Sequence, residues 1–173
     1  MKSTAFLLVL LTAASFCPSC RQETEEDKVR RAFDSVTRLA EKKDLEGLMA
    51  YVAEDFRDFE GRDKAGLRRL ASAYFSGREG IVVHRLSARI GQFASEKCSL
   101  EADVALSSGG AEALRRLVRV SPDIYRLRVD LVKMGEDDWQ MAYAEWAEIT
   151  WTDLFPESLT PLRELFPRSR TEN

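Results

Sequence analysis

VVHRLSARI (residues 82–90) and CSLEADVAL (residues 98–106) decide the fold class. Val82, His84, Leu86, Ala88 and Ile90 recur at every second position, and so do Cys98, Leu100, Ala102, Val104 and Leu106. A period of two places one side of each segment against a core, as in a half-buried strand. The two read as strands joined around Gly91. Ser107-Ser108-Gly109-Gly110 breaks the pattern, and residues 111–118 read as a helical turn or an irregular excursion. Alternation returns at Tyr125, Leu127, Val129 and Leu131. It then passes through a polar turn at Gly135-Glu136-Asp137-Asp138 into Trp139, Met141 and Tyr143, which predicts a hairpin.

The segments before residue 82 have a helical period. Val29, Phe33, Val36 and Leu39/Ala40 form one face of a helix over 25–43. Asp44 is placed to cap a shorter second helix with Leu45, Leu48, Met49 and Val52 inward, although Gly47 weakens it by about 1 kcal/mol relative to Ala. After a turn at Phe59-Glu60-Gly61, Asp63 can cap a third helix running through Leu67, Leu70, Ala71, Tyr74 and Phe75 to Gly77 and Gly80. Helices followed by a run of strands argue for α+β, with N-terminal helices packed on an antiparallel sheet.

The chain has 173 residues, 45% hydrophobic and 32% charged, which suits one globular domain that needs no disulfide or metal to fold. Its net charge is −3, or −4 without Lys2, whereas a nucleic-acid-binding domain usually carries a basic excess. A single histidine, His84, excludes a site built on several imidazoles, and no zinc spacing, P-loop or GxGxxG is present. No cofactor and no metal are expected.

Residues 1–19 read as a signal peptide. Lys2 supplies the positive start, and Ala5 to Phe16 is an apolar run of twelve residues. A bilayer-spanning helix takes about 20. The alternative is a buried first helix, disfavoured because the run is apolar all round and a polar stretch follows at once. The run ends in Cys17-Pro18-Ser19-Cys20, which resembles a bacterial lipoprotein signal with Cys20 as the lipidated residue. Cys17 stands where such signals usually carry an aliphatic residue, so ordinary cleavage to a soluble protein stays open. Arg21 follows the cysteine where an aspartate would imply inner-membrane retention, and the resemblance therefore implies the outer membrane of a Gram-negative envelope. Residues 20–26 read as a tether, 27–151 as the domain and 152–173 as a C-terminal extension. Cys98 reads as a small buried hydrophobe, with a Cys20–Cys98 disulfide as the alternative in an oxidising compartment.

A resemblance extends over residues 27–150. It rests on Asp44-Leu45-Glu46-Gly47-Leu48-Met49-Ala50-Tyr51-Val52-Ala53-Glu54-Asp55-Phe56, then a third helix, long strands, and Val129 to Trp146 with Gly135, Trp139, Met141 and Trp146 in order. In these features the chain resembles the NTF2-like superfamily, which includes the SnoaL-like and ketosteroid-isomerase-like proteins. The resemblance implies a strongly curved sheet wrapped over the helices, with a pocket at the open end of a cone. That fold hosts enzymes and plain binding modules alike.

Candidate pocket residues are Tyr51, Asp55, His84, Trp139 and Tyr143. Tyr51 and Asp55 are four apart, hence on one face if helical; the simpler reading is a packed tyrosine and a surface carboxylate. His84 shares a face with Val82 and Leu86 and reads as a hydrogen-bonded, half-buried side chain before a general base. Asp130, with Arg126 and Arg128, reads as part of a solvated charge ladder. Trp139, Met141 and Tyr143 share one face, with Trp146 on the other unless a bulge intervenes. These aromatics and Trp151 read as core before cavity lining. In the tail, Thr160-Pro161 starts a short helix with Leu159, Leu162, Leu165 and Phe166 as its apolar stripe. It reads as a strap on the domain before a lid.

Three functions remain open on the sequence. One is a non-catalytic module binding an apolar small molecule or another envelope protein. The second is an isomerase or dehydratase using a pocket carboxylate or His84. The third is a homodimer formed through the open sheet face.

Overall fold

The computed structural model describes residues 23–91, 93–94, 96–107 and 123–165. The leader, Cys20, the excursion at 111–118, and the end of the tail with Phe166 lie outside the described residues.

Helix α1 spans Glu25–Glu41. Thr24 and Asp27 close a reciprocal capping box at its start, and Val29 and Ala32 are its buried residues. Glu25 and Glu26 belong to its first turn, as the helix expected over 25–43 implies. The helix leaves through Lys43, a non-glycine residue at φ 56°, whose Nζ bonds to the carbonyl of Arg78. Helix α2 (Leu45–Ala50) is capped by Asp44 and α3 (Lys64–Ser76) by Asp63, each carboxylate accepting from the backbone N–H three residues on.

The second helix is shorter than expected. Val52 does not continue it but opens strand β1 (Val52–Asp58). After six helical residues, Val52 and Phe56 are fully buried on the strand, and Met141 donates its N–H to the Tyr51 carbonyl beside it. A β-branched residue and an aromatic fit a pleated surface, and tertiary pairing overrides the helical spacing.

Strands β2 (Val82–Ile90), β3 (Lys97–Ser107), β4 (Asp123–Lys133) and β5 (Trp139–Glu148) follow. The sheet order is β1-β5-β4-β3-β2. The expectation of a wholly antiparallel sheet is corrected in one place: β1 runs parallel to β5, so the sheet is mixed. The α+β architecture, with helices on an open sheet, stands.

Two bulges rotate side chains between faces. On β2, Leu86 has no partner, because Arg85 lies opposite Val104 and Ser87 opposite Asp103. On β5, Ala142 has none, because Asp130 lies opposite Tyr143 and Leu131 opposite Met141. Each extra residue reverses the alternation beyond it. Val83, Ala88 and Ile90 thus pack with α1 and the inner faces of β3 and β4, while Leu86 belongs to a core on the outer face.

The outer core is made by the tail. Ile149 donates its N–H to the Ile124 carbonyl. The chain then crosses the sheet through a 3-10 turn (Pro156–Ser158) into α4 (Leu159–Leu165). Leu154 and Leu162 bury against Leu86, Ala105 and Ile124. The tail is a strap.

Beneath the strap lies Asp103, fully buried. Its carboxylate accepts from Arg126 Nε at 2.8 Å and Nη2 at 3.3 Å, from the Phe155 N–H at 2.8 Å and from Ser158 Oγ at 2.7 Å. The Ser87 and Ser158 hydroxyls lie 2.7 Å apart. Arg126 also donates to the Asp153 carbonyl at 2.6 Å. The Phe155 ring has Arg126 3.7 Å and Arg89 3.6 Å from its centroid, and Arg89 pairs with Glu157. Arg126 is therefore not part of a solvated ladder, whereas Arg128, 3.7 Å from Glu145, is.

Removing one member of a buried pair strands the other. Asp103→Ala is expected to cost about 3 kcal/mol, the low end for such a pair because Arg126 keeps 30% of its side chain in solvent. Urea unfolding measures it; a loss below about 1 kcal/mol would show that the carboxylate does not hold the strap. Acid should loosen the strap in a defined window. The Arg89 guanidinium, helped by a backbone N–H, holds the Glu157 carboxyl down from 4.5 to about 2. A lowered folded pKa means that this contribution is present above about pH 4.5 and lost as pH falls toward 2. The Phe155 ring resonances should shift in that window, and Arg89→Ala should abolish the transition.

Candidate functional site

α1 crosses the inner face of the sheet and leaves a cavity of about 80 Å³ beneath it. Ala32, Phe33 and Val36 form its roof. Leu100 from β3, Leu127, Val129 and Leu131 from β4, and Trp139 and Met141 from β5 form its floor, and Tyr51 closes one side. The spacing of Ala32, Phe33 and Val36 puts all three on one helical face, and period two puts Leu127, Val129 and Leu131 on one strand face.

α1 is held over this floor at both ends. At its start, Glu25 accepts from the Trp139 indole N–H at 3.3 Å and pairs with Lys133 at 3.0 Å, and Lys28 pairs with Asp137 at 2.7 Å. The Lys133 ammonium brings the Glu25 carboxyl below the usual range, against a smaller opposing effect of burial, with Lys28 adding to it. At its end, the Glu41 carboxylate accepts the Val83 N–H at 2.9 Å.

The lining is apolar and contains no carboxylate, imidazole or amine. It offers dispersion contact and exclusion of water. Among the described residues no cluster could hold a metal ion, and no helix is long and apolar enough to cross a membrane.

Of the residues singled out from the sequence, the structure brings Tyr51 and Trp139 together at the cavity and places the others elsewhere. Asp55 is exposed on β1, not one helical turn from Tyr51. His84 stands opposite Ala105 on the outer face, its Nε2 3.3 Å from Ser107 Oγ. Tyr143 is turned outward by the bulge at Ala142. Its hydroxyl donates to Glu145 at 3.0 Å, and that carboxylate, with burial adding to it, pushes the phenol pKa up. Asp130 lies opposite Tyr143. The same bulge turns Trp146 inward. Its ring meets Phe59 edge-on at 4.9 Å, and Arg62 sits 5.4 Å from its centroid. Trp151 is exposed on the strap. Cys98 is a free thiol packed beside Leu131 and Trp139, with burial pushing its pKa up to about 11.

Sequence reasoning missed two polar centres. One is Asp103 with its partners. The other is Asp58, where burial raises the carboxyl but Arg62 and the N–H groups of Arg62 and Glu60 outweigh it and leave it lowered. The signal for the first was the strap's apolar stripe, which needs an outer face to cover.

The sequence matches no protein-family profile, and no curated protein resembles it closely in sequence. Solved structures do resemble it. An NTF2-like protein of unknown function from Pseudomonas putida superposes with a TM-score of 0.59 at 14% identity, over 76% of this chain and 96% of that one. A protein from Novosphingobium aromaticivorans, provisionally assigned as a scytalone dehydratase, gives 0.58 at 12% identity over 73% and 85%. Bd1075 of Bdellovibrio bacteriovorus gives 0.59 at 19% identity over 73% of this chain, which spans only 43% of that protein. With three N-terminal helices on a five-stranded mixed sheet, β1 parallel to β5 and a cavity under α1, the chain carries the NTF2-like, cystatin-like fold.

Proposed function

We propose that this chain is a non-catalytic binding module of the cell envelope, carried on a lipid at Cys20, whose domain receives a small apolar group between α1 and the sheet. The observation that carries the reading is the lining of the cavity, ten residues without a charged side chain. At about 80 Å³ it is smaller than the 150 Å³ engineered cavity that accepts benzene, and far below the 300–1,000 Å³ of drug-sized sites. With α1 tied at both ends, the cavity suits a short alkyl chain or one apolar side chain of a partner, not a multi-ring substrate.

The second reading, an isomerase or dehydratase, draws on neighbours provisionally assigned as dehydratases. Such chemistry needs a base in the pocket, and here Asp55 and His84 lie outside it. Self-association through the outer sheet face has only part of that face left, because the strap covers the rest.

Native mass spectrometry of residues 21–173 from an envelope-targeted expression should show a retained apolar ligand. Ala32→Leu, which adds three carbons to the cavity roof, should abolish retention with circular dichroism unchanged. A ligand retained equally by the variant would place binding elsewhere. His84→Ala and Asp55→Ala should both keep the ligand. A loss of turnover in either, on a substrate found with the wild type, would establish the enzyme reading instead.

A further inference from the structure

The leader joins the domain at one particular end. β3 starts opposite the last residues of β4, and β4 leads directly into β5, so the β2–β3 and β4–β5 connections lie side by side. The Lys133 N–H donates to the Glu96 carbonyl at 2.8 Å between them. The start of α1 is tied to the same place, Lys28 Nζ donating to the Glu136 carbonyl at 2.9 Å. Each connection exposes a large apolar side chain there, Phe93 at 39% and Met134 at 61%. Phe93 is braced edge-on by Trp139 at 5.9 Å.

Four peptide links separate Cys20 from Thr24, the cap of α1. Fully extended they reach about 14 Å. A lipid on Cys20 would therefore hold this end of the domain at the bilayer surface.

Resting on the Cys20 reading above, we propose that the end formed by the start of α1 and the two strand connections lies on a lipid surface, with Phe93 and Met134 entering the interface. The strap and the far ends of the strands then face away from it. Charge selects the kind of surface. Residues 23–31, 96–97 and 133–138 hold eight acidic and five basic side chains, which disfavours an anionic bilayer. The contact is apolar and fits zwitterionic lipid. It is too small to hold a free domain, but the anchor supplies a high local concentration, so that a weak contact suffices to orient it.

The test uses the full precursor, expressed in a bacterium that acylates lipoproteins. Ala94→Cys and Glu136→Cys report on this end. Thr152→Cys reports on the other, about 30 Å away along β5. All leave Phe93 and Met134 intact, and Cys98, 5% exposed, is shielded from a maleimide dye. In phosphatidylcholine vesicles carrying a spin-labelled lipid, the dyes at 94 and 136 should be quenched several-fold more than the dye at 152. Phe93→Ser with Met134→Ser should reduce quenching at 136, and added phosphatidylglycerol should reduce it too. Acylated protein with equal quenching at all three positions would overturn the orientation while leaving the anchor standing. Stronger quenching with phosphatidylglycerol would overturn the apolar contact. A purified mass without acyl chains would overturn the anchor, and the proposal with it.

Discussion

A carboxylate sealed from water organises the outer half of this protein. Asp103 has no access to solvent, yet it receives four hydrogen bonds, from one guanidinium, one backbone amide and one hydroxyl. Burying such a charge is tolerable only when its lone pairs are filled by well-placed donors. Those donors come from β4 and from the strap, so three segments must be in register before any is stable. A buried acid of this kind accepts one arrangement of the tail and rejects the many that an apolar patch alone would allow. Around it, the sandwich of Phe155 between Arg89 and Arg126 and the packing of Leu154 and Leu162 complete the seal.

The inner half is built differently. Its face is apolar throughout, and polar groups are confined to the ends of α1. Tying the helix at its ends over uncharged, mainly apolar side chains leaves a small cavity beneath its middle. Such a layer has no directional bonds across it, so its occupant is chosen by size and shape. The two bulges sharpen the division between halves. They send Tyr143 outward and bring Ala144 and Ala88 inward, which removes a phenol from the cavity side, while Leu86, outward with His84, lies under the strap.

What could be read from the sequence is what is decided locally. Asp44 and Asp63 cap helices because a carboxylate three residues from a free N–H needs no distant partner. The alternation from Cys98 to Leu106 marks a strand wherever its neighbours lie. Val52–Asp58 was not legible, because its strand character comes from β5, about ninety residues later, while its spacing continues that of α2. A period of two puts Tyr143 on the inner face with Met141, because it cannot register the bulge at Ala142. The same alternation assigns the Asp103 side of β3 to water, and only the docked tail shows otherwise. At the site, Tyr51 and Trp139 were legible as aromatic residues near the core, whereas the helical face that roofs the cavity read simply as packing.

The parallel pairing of β1 with β5 also sets an order of events for a chain made or threaded from its N-terminus. β2, β3, β4 and β5 are successive antiparallel neighbours in both sequence and sheet. β1 must wait for β5, and residues 59–138 lie between them. Loop closure on that scale is slow. The end of α1, α2, β1 and α3 share a local cluster around Met49 and Phe56, but Met141 and Ala144 complete it only when β5 arrives. Seating β1 along β5 is then the step that completes this edge of the sheet, and it joins the first third of the chain to the last.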